Sequence, residues 1–313
     1  MWVVTTSIFW TSIGLLLLRF MPSYLPQVLG RSLYWVGVPL QILALARRSN
    51  FTGGMWLTPL ITVGVLLLAL GLSLLSLQGS SFRWPFATEL FSKVWPRHRS
   101  SQGSFVLASM LGNTGFIGLA IAPAFVSVPY LSWIMLYGVA HNLLGSYGLG
   151  VFLASYYGRP QQESHWWTQL RDVLYVPSLW AFVIGWFSRH VQFPTLIESG
   201  LQTSVLFVVP GAFLLIGMQL SQLQGVKSLQ MALVPAALKM LVVPGLAGLS
   251  LTLLGLSGDA RLALVLMSGM PTAFANLILA EEYNLDRQLA AGSIVLSTIG
   301  LPLTIPLWLT LFG

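Results

Sequence analysis

The chain has 313 residues, of which 56% are hydrophobic and only 7% charged, with a net charge of +7 and no cysteine. Soluble domains carry about 25% charged residues, so a chain this poor in charge is expected in lipid. The lack of cysteine excludes disulfides, thiolate catalysis and zinc–thiolate sites, and the positive excess reads as the charge of cytoplasmic loops rather than as a nucleic-acid surface.

Apolar runs of about 20 residues give ten candidate spans: 2–18, 28–46, 55–77, 104–126, 130–154, 172–188, 201–220, 229–256, 260–280 and 288–312. No basic stretch precedes the first, which therefore reads as a span and not as a cleavable signal. The second and sixth are short or interrupted, and an eight-span chain is the alternative. Ten spans put both termini on one side. One face then receives Arg19, Arg31, Arg83, Lys93, Arg97, Arg99, Arg159, Arg171, Lys227 and Arg287. The other receives Arg47, Arg48, Arg189 and Arg261, and Lys239 falls inside the eighth span. Lys and Arg concentrate in cytoplasmic loops, so the first face is expected in the cytoplasm and both termini outside it, in the plasma (bacterial inner) membrane. Trp2, Trp56, Trp133, Trp166, Trp167 and Trp308 fall near span ends, where indoles anchor at headgroups. The longest loop, 78–103, mixes basic residues with Trp84, Phe86, Phe91 and Trp95 and is expected to lay a helix on anionic headgroups.

The fourth span, "LASMLGNTGFIGLAIAPAF", is broken in its middle by Gly112, Asn113, Thr114 and Gly115. Matching punctuation recurs five spans later. "WVGVPLQ" in span 2 parallels "LFVVPGA" in span 7, and "NTGFIGLAIA" in span 4 parallels "PTAFANLILA" in span 9, with four identities in ten positions. An odd separation inverts the second copy, giving halves 1–157 and 170–313. Interrupted spans at corresponding places in inverted halves point to a transporter's central site. Unwound backbone is costly in lipid but tolerated where it lines a cavity or meets another broken span. Two such spans would also present half-helix N-termini, which attract anions. The alternative is that Gly112, Gly115 and Gly118 only permit close helix packing.

These residues resemble the auxin efflux carrier family, bacterial relatives of the plant PIN-type carriers, over nearly the whole chain. The resemblance is carried by Asn113-Thr114-Gly115-Phe116-Ile117-Gly118-Leu119, by Val38-Pro39-Leu40, by the spacing from Lys239 to Pro244, and by "MPTAFANLILAEEYNLDRQLAAGSIVLSTIGLPLTIPL". It implies an all-α membrane protein of ten helices in two inverted five-helix repeats, with broken helices 4 and 9 crossing at the centre. Spans 1, 2, 6 and 7 would form a scaffold and spans 3–5 and 8–10 a transport domain, in a homodimer. The implied activity is movement of small organic anions, auxin-like or other carboxylates, by elevator-type alternating access, with export as the direction. The chain departs from plant members at the crossing prolines, replaced here by Ala120 and Asn276 with Pro123 and Pro271 close by, and it lacks their long central loop.

Polar groups within the spans are few. Asn113 matches the family's substrate-binding amide, which donates two hydrogen bonds to a carboxylate without a full counter-charge. Asn276, Val38, Thr114, Thr272, Lys239 and Pro271 complete the candidate substrate-binding set. Lys239, the ammonium well inside a span, needs a partner there, and His141 with Asn142 is a candidate proton relay or coupling pair. Gln41 and Gln219 are weaker candidates. All eight acids lie in loops or at span ends, which favours uniport over carboxylate-based coupling, with a proton- or sodium-coupled carrier as the alternative. No HExxH, paired intramembrane aspartates or GxSxG is found, so an enzyme is not expected, and the charge rings and filter motifs of channels are absent. No cofactor and no metal are implied; the expected partners are the anion, the lipid bilayer and a second copy of the chain, with no nucleic acid.

Overall fold

The computed structural model describes residues 2–17, 20–22, 24–48, 57–79, 95–159, 166–175, 177–221 and 226–313. Of the loop expected to lie on headgroups, residues 80–94 fall outside these. Among the described residues every regular element is helical. In the first half α1 is Trp2–Leu17, α2 is Leu25–Ser32, α3 is Val38–Arg48, α4 is Leu57–Gly79, α5 is Arg99–Met110, α6 is Leu131–Ala140 and α7 is Gly150–Gly158. In the second half α8 is Trp166–Leu174, α9 is Pro177–Ser188, α10 is Thr195–Ser221, α11 is Val226–Ala237, α12 is Val243–Leu253, α13 is Gly258–Ser268, α14 is Ala275–Glu282 and α15 is Arg287–Phe312. Among the described residues four stretches are long and apolar enough to cross a membrane: Leu57–Gln78, Thr195–Leu215, Leu229–Leu253 and Arg287–Phe312.

Proline and glycine shape the remainder. A π turn, Leu33–Gly37, joins α2 to α3, and another, Leu238–Val242, joins α11 to α12. Each stands just before a proline, Pro39 or Pro244. A proline has no N–H to give the carbonyl four residues earlier, and the helix widens there. The wide turn places Lys239 where it faces neighbouring chain. The sixth expected span is shorter than the apolar run suggested: α8 ends at Leu174 and α9 starts afresh at Pro177, a residue suited to a first helical position.

Two sets of helices pack separately. The helices α1, α3, α9 and α10 form one: α1 runs along α10, and α3 lies on α9 and α10. A Cβ at Gly217 would strike the main chain of Thr11, and one at Gly14 the main chain of Leu214, so α1 and α10 meet backbone to backbone. The second set gathers α4 to α7 and α11 to α15, with α11 along α15, α12 on α13 and α13 on α6. Asp286 ties this set together at one end. Its Oδ1 accepts from Leu289 N at 3.0 Å, capping α15, and its Oδ2 accepts from Ser101 Oγ of α5 at 2.7 Å. Trp308 corrects an expectation. It is buried inside this set, stacked on Phe312 and packed at Gly269, and so does not anchor at headgroups.

Candidate functional site

Helix α5 stops at Met110, Leu111 is extended, and a tight turn at Asn113, closed by Thr114 N donating to Gly112 O at 2.8 Å, leads into a π segment, Thr114–Gly118. Helix α13 stops at Ser268, and the chain resumes as helix at Ala275. The two gaps meet. Asn113 N donates to Pro271 O at 2.6 Å and Ala273 N donates to Leu111 O at 2.8 Å, on either side of an antiparallel bridge between Gly112 and Thr272. Each break thus satisfies main-chain groups of the other, which is what makes unwinding tolerable away from water.

The side chains around this joint fall into two groups. Asn113 and Asn142 line a cavity of about 20 Å³ together with Gln41, Phe116, Tyr147 and Phe274, room for about one water. Asn113 Oδ1 accepts from Phe116 N at 3.3 Å and Ile117 N at 3.4 Å, so the carbonyl caps the π segment, while its Nδ2 has no partner among the described residues. Gln41 reaches over from the first set of helices, and its Nε2 donates to Gly115 O at 3.4 Å. A Cβ on Gly115 would lie 2.5 Å from Asn142 Nδ2, so a larger residue there would have to turn that amide aside. The rings of Phe116 and Phe274 stand 6.1 Å apart, one from each broken span.

The second group holds the joint from behind. Thr272 Oγ1 donates to Ala108 O at 3.1 Å, and Thr272 N donates to Ser297 Oγ of α15 at 3.0 Å. Lys239 is buried and its Nζ donates to Ser268 O at 2.6 Å. His141 Nε2 accepts from Gly112 N at 3.3 Å, so that nitrogen carries no proton in this arrangement. Thr114 is buried, and its hydroxyl has no partner among the described residues. Asn276 sits in the first turn of α14, one turn beyond Thr272 and outside the cavity lining, with neither amide atom bonded among the described residues. Pro271 contributes its carbonyl. Val38 begins α3, and its side chain lies outside the described residues, as does that of Ala120.

Sequence reasoning thus marked Asn113, Asn142 and the second-group residues. It underrated Gln41 and missed Tyr147 and Phe274, whose apolar or aromatic character carries no signal until the fold brings them to one place. A second cavity, about 310 Å³, separates the two helix sets. It is walled by Leu136, Val139 and Leu143 on one side and Phe182, Trp186 and Phe187 of α9 on the other.

Residues 162–309 match the model of a family described as membrane transport protein. An uncharacterized transporter of Methanocaldococcus jannaschii is 27% identical over 214 residues, covering 66% of this chain and 67% of that one. An uncharacterized transporter of Methanothermobacter thermautotrophicus is 25% identical over 289 residues, 90% of this chain and 87% of that one. Over residues 162–309, then, the chain carries the membrane transport protein domain of the auxin efflux carrier family.

Proposed function

We propose that the protein is a carrier that moves small organic anions outward across the membrane by elevator-type alternating access. The observation that carries this reading is the joint between the two broken spans, with the Nδ2 of Asn113, which has no partner among the described residues, at a cavity beside it. An amide N–H and the N-terminal end of α14, whose first residue Ala275 also lines the cavity, both favour a carboxylate over a cation. A cavity for one water is too small for a carboxylate, so loading requires the two helix sets to move apart.

Their packing supports such a movement. The helices of spans 1, 2, 6 and 7 pack as one set and those of spans 3–5 and 8–10 as the other, matching a scaffold and a transport domain. Part of the seam is the apolar cleft at α9, where Leu136, Val139 and Leu143 face Phe182 and Phe187. The two bonds of the joint also support inverted halves. They exchange when Leu111 takes the place of Pro271 and Asn113 that of Ala273, as a local two-fold would require. The sequence match instead sets Asn113 against Pro271, two residues out of that register.

The test is uptake and counterflow of labelled benzoate, indole-3-acetate and succinate in liposomes containing the purified protein. The expected result is uptake of at least one anion, accelerated by the same anion on the far side and undiminished when sodium is replaced. No uptake above protein-free liposomes, or flux without trans-acceleration, would overturn the carrier reading. Proton coupling is the second reading, favoured by His141 at the joint; a requirement for a pH gradient would select it.

A further inference from the structure

Lys239 raises a question that anion binding does not answer. It is 1% exposed, and among the described residues no carboxylate lies within ion-pair distance of it. A buried ammonium without a counter-ion is costly. It does not line the cavity beside Asn113. Gly112 stands between: it lines the cavity, while a Cβ placed on it would lie 2.8 Å from Lys239 Cε and 2.9 Å from Nζ. The ammonium is therefore pressed against the joint on the side away from the cavity.

The partner it does have is a main-chain oxygen at a helix end. Ser268, whose carbonyl accepts from Nζ at 2.6 Å, is the last residue of α13. Gly112 lies two residues beyond the end of α5, and the Met270 carbonyl is 3.4 Å from the same Cβ position. The C-terminal ends of helices carry partial negative charge. In carriers built from broken helices, unwound carbonyls and half-helix C-termini form the sites that hold a coupling cation. Here an ammonium on a four-carbon tether occupies such a place, and the π turn at Leu238–Val242 directs it there.

We propose that Lys239 is a built-in cation standing where a coupling ion would bind, and that removing its side chain opens a site for a small monovalent cation. The proposal rests on the carrier reading only for the word coupling; the cation site is a property of the folded protein.

The experiment measures thermal unfolding of the full chain in detergent at constant ionic strength, in sodium, methylammonium, choline or N-methylglucamine chloride. The wild type should melt at one temperature in all four. Lys239→Ala should melt lower in choline and N-methylglucamine and regain stability in sodium or methylammonium, rising by a few degrees per tenfold increase in cation once the site is near saturation. Lys239→Met, which fills the tether's space without charge, should remain destabilised.

Stabilisation of the wild type by sodium would overturn the proposal. So would Lys239→Ala melting alike in every salt, Lys239→Met as stable as wild type, or failure of Lys239→Ala to fold in any cation. Unfolding does not require transport. Rescue by cations in a protein that carries no anion would keep the cation site and remove the carrier reading. Counterflow without rescue would do the reverse.

Discussion

Asn113 caps the segment that follows it: its Oδ1 accepts the main-chain N–H of Phe116 at 3.3 Å, leaving the amide nitrogen as the free half of the side chain. The two halves can be separated by substitution. Asn113→Ser keeps a capping oxygen and deletes the donor. It should unfold near the wild-type temperature while weakening anion binding by about 1–3 kcal/mol, roughly tenfold to hundredfold in Kd. Isothermal titration with the anion identified by uptake checks this. Unchanged binding with lowered stability would make the amide purely structural.

A second prediction concerns acid stability. Asp259, in the first turn of α13, accepts from Ser127 N at 2.8 Å and from Ser127 Oγ. These bonds hold its carboxyl below the ordinary value of 3.8. A depressed carboxylate stabilises the fold above its unfolded pKa, and that contribution is lost as pH falls through the folded one. The tie between the α13 start and the Ser127 turn should therefore persist at neutral pH and fade below about pH 4. Asp259→Asn should remove this component. Melting curves from pH 6 down to pH 3 would show a shallower acid decline in the variant; identical declines would count against it.

Close backbone contact gives the third. Gly217→Leu puts a side chain into the main chain of Thr11. Overpacking costs about 1–3 kcal/mol where neighbours can shift, and main chain shifts less readily than side chain. The variant should melt lower by several degrees, whereas Gly200→Leu on the same helix, with open space around it, should not.

Orientation gives the fourth. A reporter that fluoresces only in the cytoplasm, fused after Gly313, should stay dark if the ten Lys and Arg of the richer face lie inside. A bright fusion overturns either the ten-span count or its orientation.

The sequence announces the joint from one side only. Gly112 to Gly115 stand out because polar residues and glycines interrupt an apolar run. Thr272 is visible only through the repeat match, and that match lies two residues from the hydrogen-bond register, because identities in apolar helices are cheap while a bridge is fixed by main-chain geometry. Lys239 was conspicuous as a lone charge. Carbonyls of a broken span are the partners such a charge calls for, and it takes that of Ser268; which carbonyl it would be leaves no mark in a string of side chains. Trp308 misled for a related reason: its distance from a span end is local, but its burial depends on room at Gly269 and Gly245 some way off in the chain. Asn276 was placed at the crossing, yet the gap in the ninth span closes one residue before it.

The joint between the broken spans is made of N–H and C=O groups that every residue possesses, with Gly112 and Thr272 at its centre. Its geometry is therefore indifferent to most of the side chains that surround the cavity. Asn142, Phe116, Tyr147 and Phe274 can be exchanged for residues of other size or polarity while the bridge keeps its register. On the carrier reading proposed above, choice of cargo is uncoupled from the bridge that joins the two broken spans. For the experimenter, selectivity can be redesigned at those four positions with the bridge itself left alone.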